Sequence, residues 1–146
     1  MKTLAMIVLT IFLGKSCSEG AKNDLANASM HYNAHSRGYY LDIVVANKKA
    51  SVVQGRAEKE NPREITISDK DWNELVGYFE KIDLEKLPEF KEPTQKRFYD
   101  GAPAAQLIVR YKDKNYESKF FDHGTPPLEI EKLVNKIVSF EKKEIE

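Results

Sequence analysis

Two spacings run through this chain, and their alternation limits the fold more than any other feature. Over AAQLIVRYKDKNYESKFFD (104–122), Leu107, Val109 and Tyr111 recur every second residue. Tyr116, Ser118 and Phe120 do the same after the polar stretch Lys112 to Asn115. A period of two on both sides of a polar turn is a β-hairpin. YYLDIVVA (39–46) alternates through Leu41, Ile43 and Val45. Asn47-Lys48-Lys49 reads as a turn, ASVVQGR (50–56) as the returning strand, and REITIS (63–68), with Ile65 and Ile67 inward, as a third.

The period then changes to that of a helix. Trp72, Leu75, Val76 and Phe79 fall at i, i+3, i+4 and i+7, behind a capping-box-like Ser68 and Asp71. This predicts a helix over 69–81. Ile82, Leu84, Leu87 and Phe90 are expected to tuck the following loop onto the core. After the hairpin, Thr125 is placed to cap a last helix, with Pro126 at its first position and Ile130, Leu133, Val134 and Ile137 as its apolar stripe. The order β-β-β-α-β-β-α predicts an α+β fold: an antiparallel sheet of about five strands with two helices packed on one face.

The N-terminus, MKTLAMIVLTIFLGKSCSEG, has a different character. Lys2 gives a positive start, Leu4 to Leu13 is an apolar run, and Gly14, Lys15 and Ser16 lead to Cys17. Those are the regions of a secretory signal peptide. The run is too short to cross ~30 Å of hydrocarbon, which takes ~20 apolar residues. Cys17 is the sole cysteine, so an internal disulfide is excluded. SEGAKNDLANASM is small and polar, which suits a spacer. The organisation read here is a signal peptide over 1–16, a modified cysteine and flexible tether over 17–29, and one domain over 30–146.

The 23 basic and 23 acidic residues balance. Cleavage before Cys17 removes Lys2 and Lys15 and no acid, leaving an excess of two acids. Neither state makes a field that gathers nucleic acid, and no basic stripe is clustered.

Residues that could carry chemistry are few. Asp122 and His123, in FFDHGTPP, could form an acid–base pair or part of a metal site, or could simply belong to a helix start. Hairpin counting places residues whose numbers sum to about 227 opposite one another. That brings Arg97, Asp100, Asp122 and His123 to one rim. The irregular stretch PEFKEPTQKRFYDGAPAA (88–105) adds Phe98 and Tyr99. Long loops in compact domains are often functional, so a ligand or partner rim is expected at Arg97, Phe98, Tyr99, Asp100, Asp122 and His123. His31 and His35 sit in a segment read as extended or irregular. On a strand they would lie roughly 13 Å apart, too far to share an ion without a bend. The chain has no HExxH, CxxC, EF-hand loop, G-x-S-x-G elbow or phosphate-binding glycine loop. No catalytic residue, metal ligand or cofactor is therefore assigned. RGYY (37–40) places aromatics at a strand start.

Leu13-Gly14-Lys15-Ser16-Cys17 resembles a relaxed form of the lipobox of bacterial lipoproteins, with Gly14 and Lys15 where the usual box has an apolar and a small uncharged residue. The resemblance implies cleavage before Cys17, acylation of that cysteine, palmitate included, and a membrane anchor. Two or more acyl chains hold such an anchor stably. Ser18 resembles the sorting position that directs lipoproteins to the outer membrane, facing the periplasm or the surface. SRGYY, YDGAPAAQLIV and FDHGTPPLEIEKLVNKI are similar to segments of small bacterial lipoproteins of undefined activity. An Arg-Gly before the first strand and a Gly-x-Pro before the last helix also resemble a family of unknown function whose cysteines after the Arg-Gly are absent here. What these resemblances imply is a lipid-anchored envelope protein, a non-enzymatic binding or accessory module with an envelope protein, peptide or glycan as partner. The alternative is a hydrolase or metal-binding protein using the Asp122–His123 loop.

Overall fold

The computed structural model describes residues 25–56 and 61–143. The signal segment 1–16 and Cys17 lie outside the described residues. The protein is α+β. Its strands are β1 (Ser29–Ser36), β2 (Tyr39–Ala46), β3 (Lys49–Gly55), β4 (Arg63–Thr66), β5 (Ala104–Tyr111), β6 (Lys114–Glu117) and β7 (Phe121–Asp122). The helices lying wholly within the described residues are α1 (Asp69–Glu80) and α2 (Glu131–Val138). All strands form one antiparallel sheet in the order β4-β3-β2-β1-β5-β6, with β7 also paired to β5.

The sheet thus has seven strands, not about five. The expected order missed β1, which lies at the centre between β2 and β5. Met30, Tyr32 and Ala34 point into the core, opposite Val45, Ile43 and Leu41 on one side and Val109, Leu107 and Ala105 on the other. The alternation is present in SMHYNAHS, but Tyr32 and Ala34 give it little aliphatic weight. Two of the tight hairpins, β2–β3 and β5–β6, turn through Asn47-Lys48 (φ 51 and 61) and Lys112-Asp113 (φ 49 and 60). Paired left-handed residues match the twist of the flanking strands.

Both helices pack on one face. Trp72, Leu75, Val76 and Phe79 of α1 are buried, as are Leu133, Val134 and Ile137 of α2. Ser68 caps α1 by accepting from the Asp71 amide at 3.2 Å. Lys136 ties the helices together, reaching Asp71 at 2.6 Å and Glu74 at 2.7 Å. Lys143 also pairs with Asp71.

Two boundaries differ from expectation. Leu25 and Ala28 are buried in the core, so the domain starts before Met30 and residues 25–29 are not tether. The last helix does not begin at Thr125 and Pro126. Asp122 and Thr125 bridge each other, a 3-10 turn covers Leu128–Ile130, and α2 follows. Consecutive prolines explain the delay: Pro126 and Pro127 push Thr125 and Pro126 out of helical conformation.

Candidate functional site

The region of interest lies at the end of the sheet where β1 meets β2 and where β5 begins. β7 sets Asp122 opposite Ala104 and Phe121 opposite Ala105. These pairs sum to 226, and those of β6 to 225, close to the value expected from the hairpin. The difference of one is a β-bulge. Between Ile108–Glu117 and Ala105–Phe121, two residues of β5 face the three residues Ser118, Lys119 and Phe120. Ser118 is buried and closes the gap. Its hydroxyl accepts from the Leu107 amide at 3.0 Å and donates to the Lys119 carbonyl at 2.8 Å. Gln106 donates to the Ser118 carbonyl at 2.9 Å. Phe121 is then fully buried while Phe120, its neighbour, is 53% exposed.

Asp122 is completely buried. Its Oδ2 accepts from the Thr94 hydroxyl and from the Lys96 amide at 2.7 Å, and its Oδ1 from the Arg97 amide at 2.9 Å. The Arg97 guanidinium reaches the same Oδ1 at 3.3 Å and Glu92 at 3.2 Å. Burial pushes the Asp122 carboxyl up, but the Thr94, Arg97 and Lys96 hydrogen bonds and the guanidinium outweigh it and hold it at about 2. The carboxylate therefore organises the 3-10 turn Lys96–Tyr99, not the last helix. Both of its oxygens are occupied, and none faces a reacting atom.

His123 has a separate environment. Tyr32 Oη lies 2.7 Å from its Nδ1 and Tyr39 Oη 3.1 Å from its Nε2. A neutral imidazole offers one donor and one acceptor, so one tyrosine donates to it and the other accepts. Burial pushes His123 below the ordinary imidazole value, with Glu141 pulling the other way. Burial raises Tyr32 and Tyr39, and Glu141 adds to both. No hydrogen bond joins Asp122 to His123, so the adjacent residues do not form a dyad. Catalysis by His123 would first require displacing a tyrosine.

His31 and His35 stand on β1, on the sheet face away from the helices. His31 pairs with Asp42, and His35 stacks on Tyr40 with ring centroids 4.5 Å apart. Tyr40 also donates to Asp42 at 3.0 Å. Asp42 feels burial raising its pKa and the His31 hydrogen bond lowering it, and the net shift is downward. His123 lies on the opposite, helix-covered side, so the three histidines do not converge. Among the described residues, no group of three or more His, Cys, Asp or Glu gathers to hold a metal ion.

The expected rim divides into a buried base and an exposed surface. Arg97, Asp122 and half-buried His123 are engaged inside. Phe98 and Tyr99 are 70% and 72% exposed. Asp100 ends the 3-10 turn in a left-handed conformation, φ 58, and is joined to neither Asp122 nor His123 by a hydrogen bond or ion pair. Gly101 packs so tightly that a Cβ would meet the Tyr99 ring at 3.0 Å and Lys96 at 3.1 Å, which fixes the loop path. Sequence reasoning missed Phe120 on this surface. The Phe120-Phe121 doublet carried the signal: adjacent residues of a regular half-buried strand cannot both face its core.

No protein-family model matches the chain, and no curated protein matches it. No helix among the described residues is long and apolar enough to cross a membrane.

Proposed function

We propose that this chain is a lipid-anchored protein of the bacterial cell envelope, held at the outer membrane through an acylated Cys17, and that its domain is a non-enzymatic binding or accessory module. The observation that carries the binding reading is the contrast at the rim. The groups able to do acid–base chemistry, Asp122 and His123, are consumed by internal hydrogen bonds. The large apolar groups beside them, Phe98, Tyr99 and Phe120, face solvent on a base held by the Asp122–Arg97–Glu92 network. Exposed aromatics on a rigid support are the usual anchors of a partner surface. The anchor reading rests on the N-terminal sequence pattern.

Two experiments test it. Metabolic labelling with a palmitate analogue should mark the protein and fail for Cys17→Ala, with the variant released from membranes. A photo-crosslinking residue at position 99 in the full chain should yield a discrete envelope adduct, absent when the crosslinker is at exposed Glu64. An unlabelled protein rejects the anchor, and equal adducts from both positions reject the rim.

A further inference from the structure

The exposed surface contains a groove of ≈ 580 Å³ lined by Glu92, Arg97, Phe98, Ala104, Lys119 and Phe120. Phe98 and Phe120 are its exposed rings, and small Ala104 also lines it. Neither ring is placed by chance packing. The Arg97 guanidinium lies 4.4 Å from the Phe98 ring centroid, and its side chain is 10% exposed and clamped by Asp122 and Glu92. Phe120 is turned outward by the bulge that Ser118 stabilises. The slot is therefore preorganised, which spares an incoming group part of its ordering cost.

Its charges are unequal in availability. Glu92 and Arg97 pair with each other, and Asp122 beneath them is saturated. Lys119, exposed at the groove, makes no ion pair among the described residues. What the groove offers a ligand is thus an apolar slot with one available cation beside it. Building on the binding reading above, we propose that this groove holds a polypeptide segment of a partner protein in which a bulky apolar side chain neighbours an aspartate or glutamate. The apolar group enters between Phe98 and Phe120 over Ala104, and the carboxylate meets Lys119.

The test uses the full chain, labelled with ¹⁵N, and blocked dipeptides followed by amide shifts. Acetyl-Trp-Asp-amide should bind saturably and shift Phe98, Ala104, Lys119 and Phe120. Acetyl-Trp-Lys-amide should bind roughly three- to fivefold more weakly, the size of effect an exposed ion pair gives. Acetyl-Ser-Asp-amide should not bind. Lys119→Glu should invert the preference, and Phe98→Ala or Phe120→Ala should weaken Trp-Asp binding about tenfold. These side chains are exposed, so the fold should survive, as an unchanged spectrum elsewhere would report. Equal binding of the Trp-Asp and Trp-Lys peptides, shifts outside the groove, or no shifts at all overturns the proposal. So does saturable binding of maltohexaose without Trp-Asp binding, which would make the rings a sugar platform. A specific crosslink from position 99 without peptide binding would leave the module reading standing and remove the peptide chemistry alone.

Discussion

At the scale of single residues, Asp122 and His123 are neighbours in sequence with opposite roles in charge. Asp122 is a buried anion with donors on both oxygens. Asp122→Asn removes the charge facing Arg97 and turns one oxygen position into a donor, which then faces either the Lys96 or the Arg97 amide. The expected cost is about 3 kcal/mol, within the range for breaking a buried pair, read as a lower urea midpoint. Faster exchange of the Lys96 and Arg97 amides should accompany it. Because its folded-state pKa is depressed, the stability Asp122 adds is present above its unfolded value near ~3.9. It is lost as pH falls from there to about 2. His123 has a depressed pKa too, but it is a base. The unfolded chain therefore binds more protons below ~6.5, and stability falls as pH drops through that value. NMR should show His123 titrating below ~6.5. His123→Gln should flatten the decline in stability between pH 7.5 and 5.5, and an unchanged slope would show that another group causes it. The sequence disclosed both residues but neither environment. Thr94, Tyr32 and Tyr39 are 28, 91 and 84 residues from the groups they contact, beyond the reach of any local pattern.

At the scale of elements, legibility followed the strength of the apolar period. The helix from Asp69 could be read because four large residues repeat behind a serine cap. β1 was missed because its inward residues include alanine and a tyrosine whose hydroxyl needs a partner, and that partner, His123, is supplied from the far end of the chain. The bulge could not be read from spacing alone, since Tyr116, Ser118 and Phe120 keep a perfect alternation that the structure interrupts. Ser118 is the element's keystone in a testable sense. Ser118→Ala leaves the buried Leu107 amide without an acceptor, costing about 1–3 kcal/mol. It should also speed exchange at Leu107 and lower the exposure of Phe120, seen as altered ring shifts. If stability and exchange stay unchanged, the hydroxyl does not hold the bulge.

At the scale of the whole molecule, the fold class was legible and the start of the domain was not. Leu25 is one aliphatic residue in a polar stretch, so no period marks it, yet it is fully buried. Leu25→Ala should destabilise the domain by about 3 kcal/mol, as for other buried leucines, where a tether residue would cost almost nothing. A calorimetric scan of the full chain decides between them.

The place where the chain enters the domain also bears on how the proposed anchor would present it. Residues 26–29 enter beside Asn47 and the Lys112-Asp113 turn, while the aromatic groove lies by Ala104, opposite the last residues of β1. The two ends are separated by the length of that strand, ~23 Å at ~3.3 Å per residue. Seven residues separate Cys17 from Leu25, so the leash is at most ~29 Å long, eight steps of ~3.6 Å. On the proposed anchoring, the hairpin-turn end is the tethered one and the Phe98–Phe120 end is the one farther from the tether. A partner standing across the aqueous gap would then be within reach of the groove.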